Sequence, residues 1–105
     1  MDGGDPGGGG VHDVVVTLPG ALRQFTGGES KVTVSVPEDA TVGTVLDRVG
    51  ADLPALHRRI QDETGVLRRH VNVYVGQTNV RDAQLLETPV PMGSDVTILP
   101  SVAGG

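Results

Sequence analysis

The sequence closes on Pro100-Ser101-Val102-Ala103-Gly104-Gly105, immediately after Val96-Thr97-Ile98-Leu99. Glycine has no Cβ, so a backbone ending in two of them can extend, bend to positive φ or enter a partner's narrow channel. The chemical group such an end presents is the carboxylate of Gly105. A frayed terminus, common in small domains, is the competing reading of the same dipeptide.

Other side chains capable of chemistry are dispersed. Cysteine is absent, which removes disulfides and thiolate metal sites. His12 and His57 are too isolated in sequence to suggest a metal site and show no ligand spacing, so no metal is expected. Asp13, Asp47, Asp52, Asp62 and Asp82 lack the pairing that carboxylate acid–base catalysis requires. Gly7 to Gly10 follow no strand and precede no Lys-Ser/Thr, so they do not make a phosphate loop. Arg58-Arg59 and Arg68-Arg69-His70 form two basic groups in an acidic chain. They suit either an acidic partner surface, a phosphorylated substrate or simply a solvated face. Phe25 is a core plug or a loop contact, since one aromatic makes no stacking surface for bases. Tyr74 is a candidate partner contact on an outward sheet face.

These residues must be carried by one small domain of 105 residues. Net charge is -5, which argues against nucleic acid as a partner. No apolar run nears the roughly 18 residues of a membrane span, and the N-terminus resembles no export signal. No membrane association and a cytoplasmic location are therefore expected. Residues 1–10 hold six glycines, two aspartates and a proline, a composition expected to form a disordered leader.

Residues 11–18 and 31–36 are expected strands, the second alternating Val32, Val34 and Val36 with Lys31, Thr33 and Ser35. Thr41 is an expected N-cap, and Val42, Val45, Leu46 and Val49 fall on one helical face, with Gly50 marking the end. A second helical segment over 54–61 offers Leu53, Leu56 and Ile60 for burial, and 62–69 is an expected loop. Val71, Val73 and Val75 alternate as a third strand; a turn at 76–79 and a short strand at Val80 follow. Leu85 and Leu86 belong to an irregular crossover, and Val96 to Leu99 form the last strand. Pro100, lacking an N–H, is expected to stop pairing and release the tail. Two strands, one main helix and two or three further strands describe an α+β, β-grasp (ubiquitin-like) domain over 11–100. Its mixed sheet of four to five strands would pack on that helix, with 101–105 as a flexible C-terminal tail.

The turn Gly93-Ser94-Asp95, the strand Val96-Thr97-Ile98-Leu99 and the ending Pro100 to Gly105 resemble the ThiS/MoaD family of sulfur carriers. His70-Val71-Asn72-Val73-Tyr74-Val75 with Val80-Arg81 is most similar to the carrier of O-phosphoserine-dependent cysteine biosynthesis. The resemblance covers about residues 11–105 and leaves the leader outside it.

It implies a protein co-substrate rather than an enzyme. An adenylyltransferase/sulfurtransferase resembling the ubiquitin E1 class would use ATP and Mg²⁺ to adenylate Gly105, and a sulfur donor would convert it to a thiocarboxylate. Partners would include a PLP-dependent cysteine synthase and a zinc metalloprotease that releases the product. The chain itself would bind no cofactor and would be a monomer when free. Gly104 and Gly105 would enter a channel that a side chain would obstruct, behind the small residues Ser101, Val102 and Ala103. Other readings stay open: a small subunit of molybdopterin synthase, a carrier for thiamin or another metabolite, a modifier conjugated to lysines, or a β-grasp binding module with an incidental end.

Overall fold

A computed structural model of the chain describes residues 10–100. The expected leader, apart from Gly10, and the expected tail from Ser101 to Gly105 lie outside the described residues.

Strands β1 (Val11–Thr17) and β2 (Lys31–Pro37) pair antiparallel over their full length, with Val14 opposite Val34 and Val16 opposite Val32. The long connection between them carries a 3-10 helix, Gly20–Thr26. Strand β3 (Val71–Val75) pairs antiparallel with β5 (Val96–Pro100), and β4 (Thr78–Asn79) folds back on β3. The sheet order is β2-β1-β5-β3-β4, with β1 and β5 parallel at its centre. A valine-rich chain with almost no aromatics suits this layout, because β-branched side chains pack well on a pleated, half-buried surface.

Helix α1 (Val42–Asp52) crosses the inward face. Thr41 caps it reciprocally with Thr44: the Thr44 amide donates to Thr41 Oγ1 at 3.3 Å, and the Thr41 amide to Thr44 Oγ1 at 3.3 Å. Val42, Val45, Leu46 and Val49 are buried, as the helical spacing required. They meet Val14, Val16, Val73, Val96 and Ile98, the residues that the period of two turns inward. Among the described residues no helix is long and apolar enough to cross a membrane.

Several local expectations change. Gly50 does not end α1, which continues to Asp52. A Cβ at Gly50 would stand 2.9 Å from His57 Cγ, so glycine here admits the ring of helix α2 (Pro54–Ile60) against α1. Leu53 joins the two helices and is half-buried, packed against the edge of the core. Val80 is buried but opens a 3-10 turn, Val80–Asp82; the fourth strand is Thr78–Asn79. The loop Gly76-Gln77 has only two residues, and Gly76 takes φ 59°, so the hairpin closes one step earlier than the apolar residue suggested. Leu85 and Leu86 lie in another short 3-10 turn, Leu85–Glu87.

Candidate functional site at the root of the tail

Strand β5 is flanked by β1 only at Val96 and Thr97. Beyond them β1 gives way to Leu18-Pro19 and the 3-10 helix, while β5 continues beside β3 through Asn72–Leu99 and Val71–Pro100 pairings. Pro100, opposite Val71, is the last residue of β5, so the strand runs to the proline at which it was expected to end; the tail it was expected to release lies outside the described residues. A proline is accommodated there because β1 no longer runs along that stretch.

The divergence leaves a groove of about 310 Å³. Its walls include Leu22 and Phe25 from the 3-10 helix, Arg59 from α2, His70, and Leu99 and Pro100 at the tail's root. The 3-10 helix is fixed by local hydrogen bonds: Leu22 N–H donates to Pro19 O at 3.0 Å, and Arg23 Nε donates to Leu18 O at 3.2 Å. Phe25 is half-buried against the core and lies beneath the Arg59 guanidinium, 5.2 Å from carbon to ring centroid. It is thus both a core contact and a wall of the groove.

A second depression of about 380 Å³ shares Phe25, Arg59 and His70 and adds Ala55, Arg58 and Arg68. A small hairpin explains how basic residues so far apart in sequence converge. Gln61 pairs with Leu67, and Arg68 N–H donates to Ile60 O at 2.9 Å. The expected loop 62–69 is therefore an ordered return from α2 to β3. Its turn is organised by Asp62, whose carboxylate accepts from Thr64 Oγ1 at 2.6 Å, Thr64 N at 2.8 Å and Val66 N at 3.0 Å. The Thr64 hydroxyl is the main reason that this carboxyl is held below the ordinary range; the Val66 amide and the Arg68 charge assist. His57 and the Gln61 side chain are hydrogen-bonded, and Gln61 Nε2 donates to Gly65 O at 2.7 Å, tying the turn to α2.

Of the predicted surface residues, Arg58, Arg59, Arg68 and His70 come together. Arg69 lines neither depression; it lines an adjoining recess with Asp62, Val66 and Leu67, which shares Arg68 and His70 with the second depression. Tyr74 also stays apart, half-buried on β3 opposite Thr97 and Asn79. Among the described residues no group of three or more His, Asp or Glu side chains is placed to hold a metal.

Arg81 entered the sequence reading only as part of the family resemblance, with no role assigned to it. Its Nη2 donates to Arg68 O at 2.8 Å and Val71 O at 2.7 Å, and its Nε to Asn72 Oδ1 at 3.3 Å. Strand β4 pairs only with Tyr74 and Val75, so Arg81 caps the stretch of β3 that β4 does not reach. This planar fork, opposite carbonyls on both sides of His70, fixes the segment that carries Arg68 and His70. The local signal was Asn79, whose Oδ1 accepts from the Arg81 amide at 2.9 Å. The groove residues Leu22, Phe25 and Leu99 likewise have no periodic signal, because they meet only where β1 and β5 part.

Comparison with known proteins places this architecture. The model of the ThiS family matches residues 16–105. The sulfur carrier protein CysO of Mycobacterium tuberculosis is 39% identical over 95 residues, 89% of this chain and 99% of that protein. Its crystal structure superposes with a TM-score of 0.75, covering 85% of this chain and 99% of that chain at 37% identity. A chain of the BexX/CysO complex of Amycolatopsis orientalis gives a TM-score of 0.73 at 40% identity, over 88% of this chain and 99% of that chain. Small archaeal modifier protein 1 of Haloferax volcanii is 35% identical over 78 residues, 74% of this chain and 85% of that protein. With the mixed five-stranded sheet packed on α1, the β-grasp fold is established, and the chain belongs to the ThiS family.

Proposed function

We propose that this chain is a sulfur carrier, a protein co-substrate whose reacting group is the carboxylate of Gly105. The family match that runs through Gly105 carries this reading. A carboxylate oxygen of Gly105 attacks the α-phosphorus of ATP, held with Mg²⁺ by an activating enzyme, and pyrophosphate leaves. Hydrosulfide, supplied by a sulfur donor, then attacks the acyl carbon; the C–S bond forms, the bond to AMP breaks and AMP leaves, which gives the thiocarboxylate with no change of oxidation state. The product is anionic at neutral pH and carries a soft, nucleophilic sulfur, so no general base is required from this chain. That agrees with a sequence without cysteine. Positioning and charge stabilisation come from the enzymes that receive the tail.

The similarity to CysO carriers favours cysteine biosynthesis as the destination of the sulfur. A PLP-dependent synthase would accept the sulfur, and a zinc metalloprotease would release the amino acid from the tail. The archaeal relative named as a modifier supports a second reading, attachment of Gly105 to lysines of other proteins.

Intact-mass analysis of the protein from its native host tests both. The expected result is a population with one terminal oxygen replaced by sulfur, absent from Gly105→Val, whose circular dichroism matches wild type. Gly-Gly remnants on target lysines with no sulfur-bearing carrier would favour the modifier. Retained charging of Gly105→Val would overturn the role of the glycine end.

A further inference from the structure

We infer that the corner built from Phe25, Arg58, Arg59, Arg68, His70 and Leu99 docks a protein segment of the activating partner, one with an apolar side chain flanked by carboxylates. The inference rests on the carrier reading above and names what that partner must present.

Charge is the first argument. The chain carries eight Lys and Arg against thirteen Asp and Glu, yet Arg58, Arg59, Arg68 and Arg69 all lie on α2 or just before β3. Among the described residues no carboxylate lines either depression of the corner. A local basic patch on an otherwise acidic body orients an approaching partner, because an acidic surface is attracted here and repelled by the net charge elsewhere.

Preorganisation is the second. Arg59 is stacked on Phe25, so one face of its guanidinium is occupied while its edge donors can still reach a ligand. Arg68 is anchored through Nε, which donates to Arg58 O at 2.7 Å. Neither arginine has to lose all of its rotamer freedom on binding, which lowers the entropy cost of the complex.

Shape and position complete the case. A groove of about 310 Å³ with Leu22, Phe25 and Leu99 in its walls fits one or two apolar side chains. Leu99 is 42% exposed, an apolar surface with no cover among the described residues. This apolar wall favours a peptide segment over a free phosphate, which would want donors on every side. Pro100 lines the same groove, and the five residues after it span at most about 17 Å when extended. A partner element seated in the corner therefore lies within that distance of the acyl carbon it activates, which ties docking to the reaction.

The test uses the full chain and the enzyme that adenylates it, with ATP–pyrophosphate exchange measured at low and high salt. Arg58→Glu/Arg59→Glu is expected to raise the KM for the carrier about tenfold or more while kcat stays within about twofold. Wild-type KM should rise with salt, and that dependence should flatten in the double variant. Lys31→Glu, which reverses a charge on β2, should leave both parameters near wild type. Because Glu at the end of α2 opposes the helix dipole, Arg58→Gln/Arg59→Gln provides a milder variant with a smaller KM rise. An unchanged KM in both double variants would overturn the docking surface while leaving the carrier reading in place. Failure of wild type itself to be adenylated would instead overturn the carrier reading, and this inference with it. Two further results would assign the corner to other occupants and so refute the proposal. One is dimerisation of the free chain that the variants abolish; the other is a change in Phe25 and His70 resonances on removing residues 101–105.

Discussion

The sheet–helix core and the corner at the tail's root use the same strand, β5, in opposite ways. At Val96 and Ile98 β5 is fully enclosed by valines and leucines of β1, β3 and α1. Immediately after, at Leu99 and Pro100, it forms the wall of an open groove beside Arg59. The core cluster is apolar, whereas the corner leaves guanidinium donors and an apolar wall turned outward. Stability and recognition are thereby placed on adjacent but separable residues, and substitutions in one should leave the other's readout largely unmoved.

The strongest challenge to that separation comes from the core. Leu46 is fully buried on α1, and Leu46→Ala removes branched volume that the surrounding valines can only partly refill. Destabilisation of about 2–5 kcal/mol is expected by urea unfolding. The KM for the activating enzyme, measured on the fraction that remains folded, should stay close to wild type. A KM shift as large as that of the Arg58/Arg59 variants would show that the two regions are coupled.

Arg81 is the sharper case because it joins both regions. It is exposed and makes no core contact of its own, yet its fork holds the carbonyls of Arg68 and Val71. Arg81→Ala is expected to cost about 1–2 kcal/mol, since water can take over part of the lost bonding at this exposed edge. The telling readout is local: amide exchange of residues 68–72 should accelerate more than that of β1 and β2. Arg81→Lys should restore only part of the protection, because a single ammonium nitrogen can serve the two carbonyls that Nη2 reaches but has no second nitrogen for Asn72 Oδ1. Uniform acceleration across the sheet would assign Arg81 to general stability instead of to the corner.

What the sequence revealed follows the same division. Val32, Val34 and Val36, Val71, Val73 and Val75, and the α1 stripe announce themselves because burial repeats at a period of 2 or 3.6. The order of elements, and with it the β-grasp fold, followed from those periods. The corner has no period. Arg58, Arg59, Arg68 and His70 were legible as basic groups, but their convergence depends on the Gln61–Leu67 pairing, and Phe25 and Leu99 join them only through the parting of β1 and β5. Gly50 misled for a related reason: its closeness to His57 is a tertiary requirement that local reading takes for a helix stop. Pro100 was legible as the end of the last strand, because a proline has no N–H to continue the pairing.

The finest test concerns the turn that returns the chain to the corner. Asp62 accepts three hydrogen bonds, and with Arg68 nearby its carboxyl is held below the ordinary value. A group whose folded pKa is depressed contributes stability above its unfolded value, about 4, and loses that contribution as pH falls through the folded pKa. The turn is therefore expected to be intact at neutral pH and to loosen only in acid. Since Asp62 is partly exposed and its bonds are local to the turn, global unfolding should barely register the change. Amide exchange should register it: the Thr64 and Val66 amides should lose protection below about pH 4 in wild type. In Asp62→Asn, which keeps an acceptor but has no charge to titrate, the same amides should be less protected at neutral pH and show no acid step. If the acid step persists in Asp62→Asn, a different carboxylate orders the turn, and the route that brings Arg68 to Arg58 must be assigned to that group.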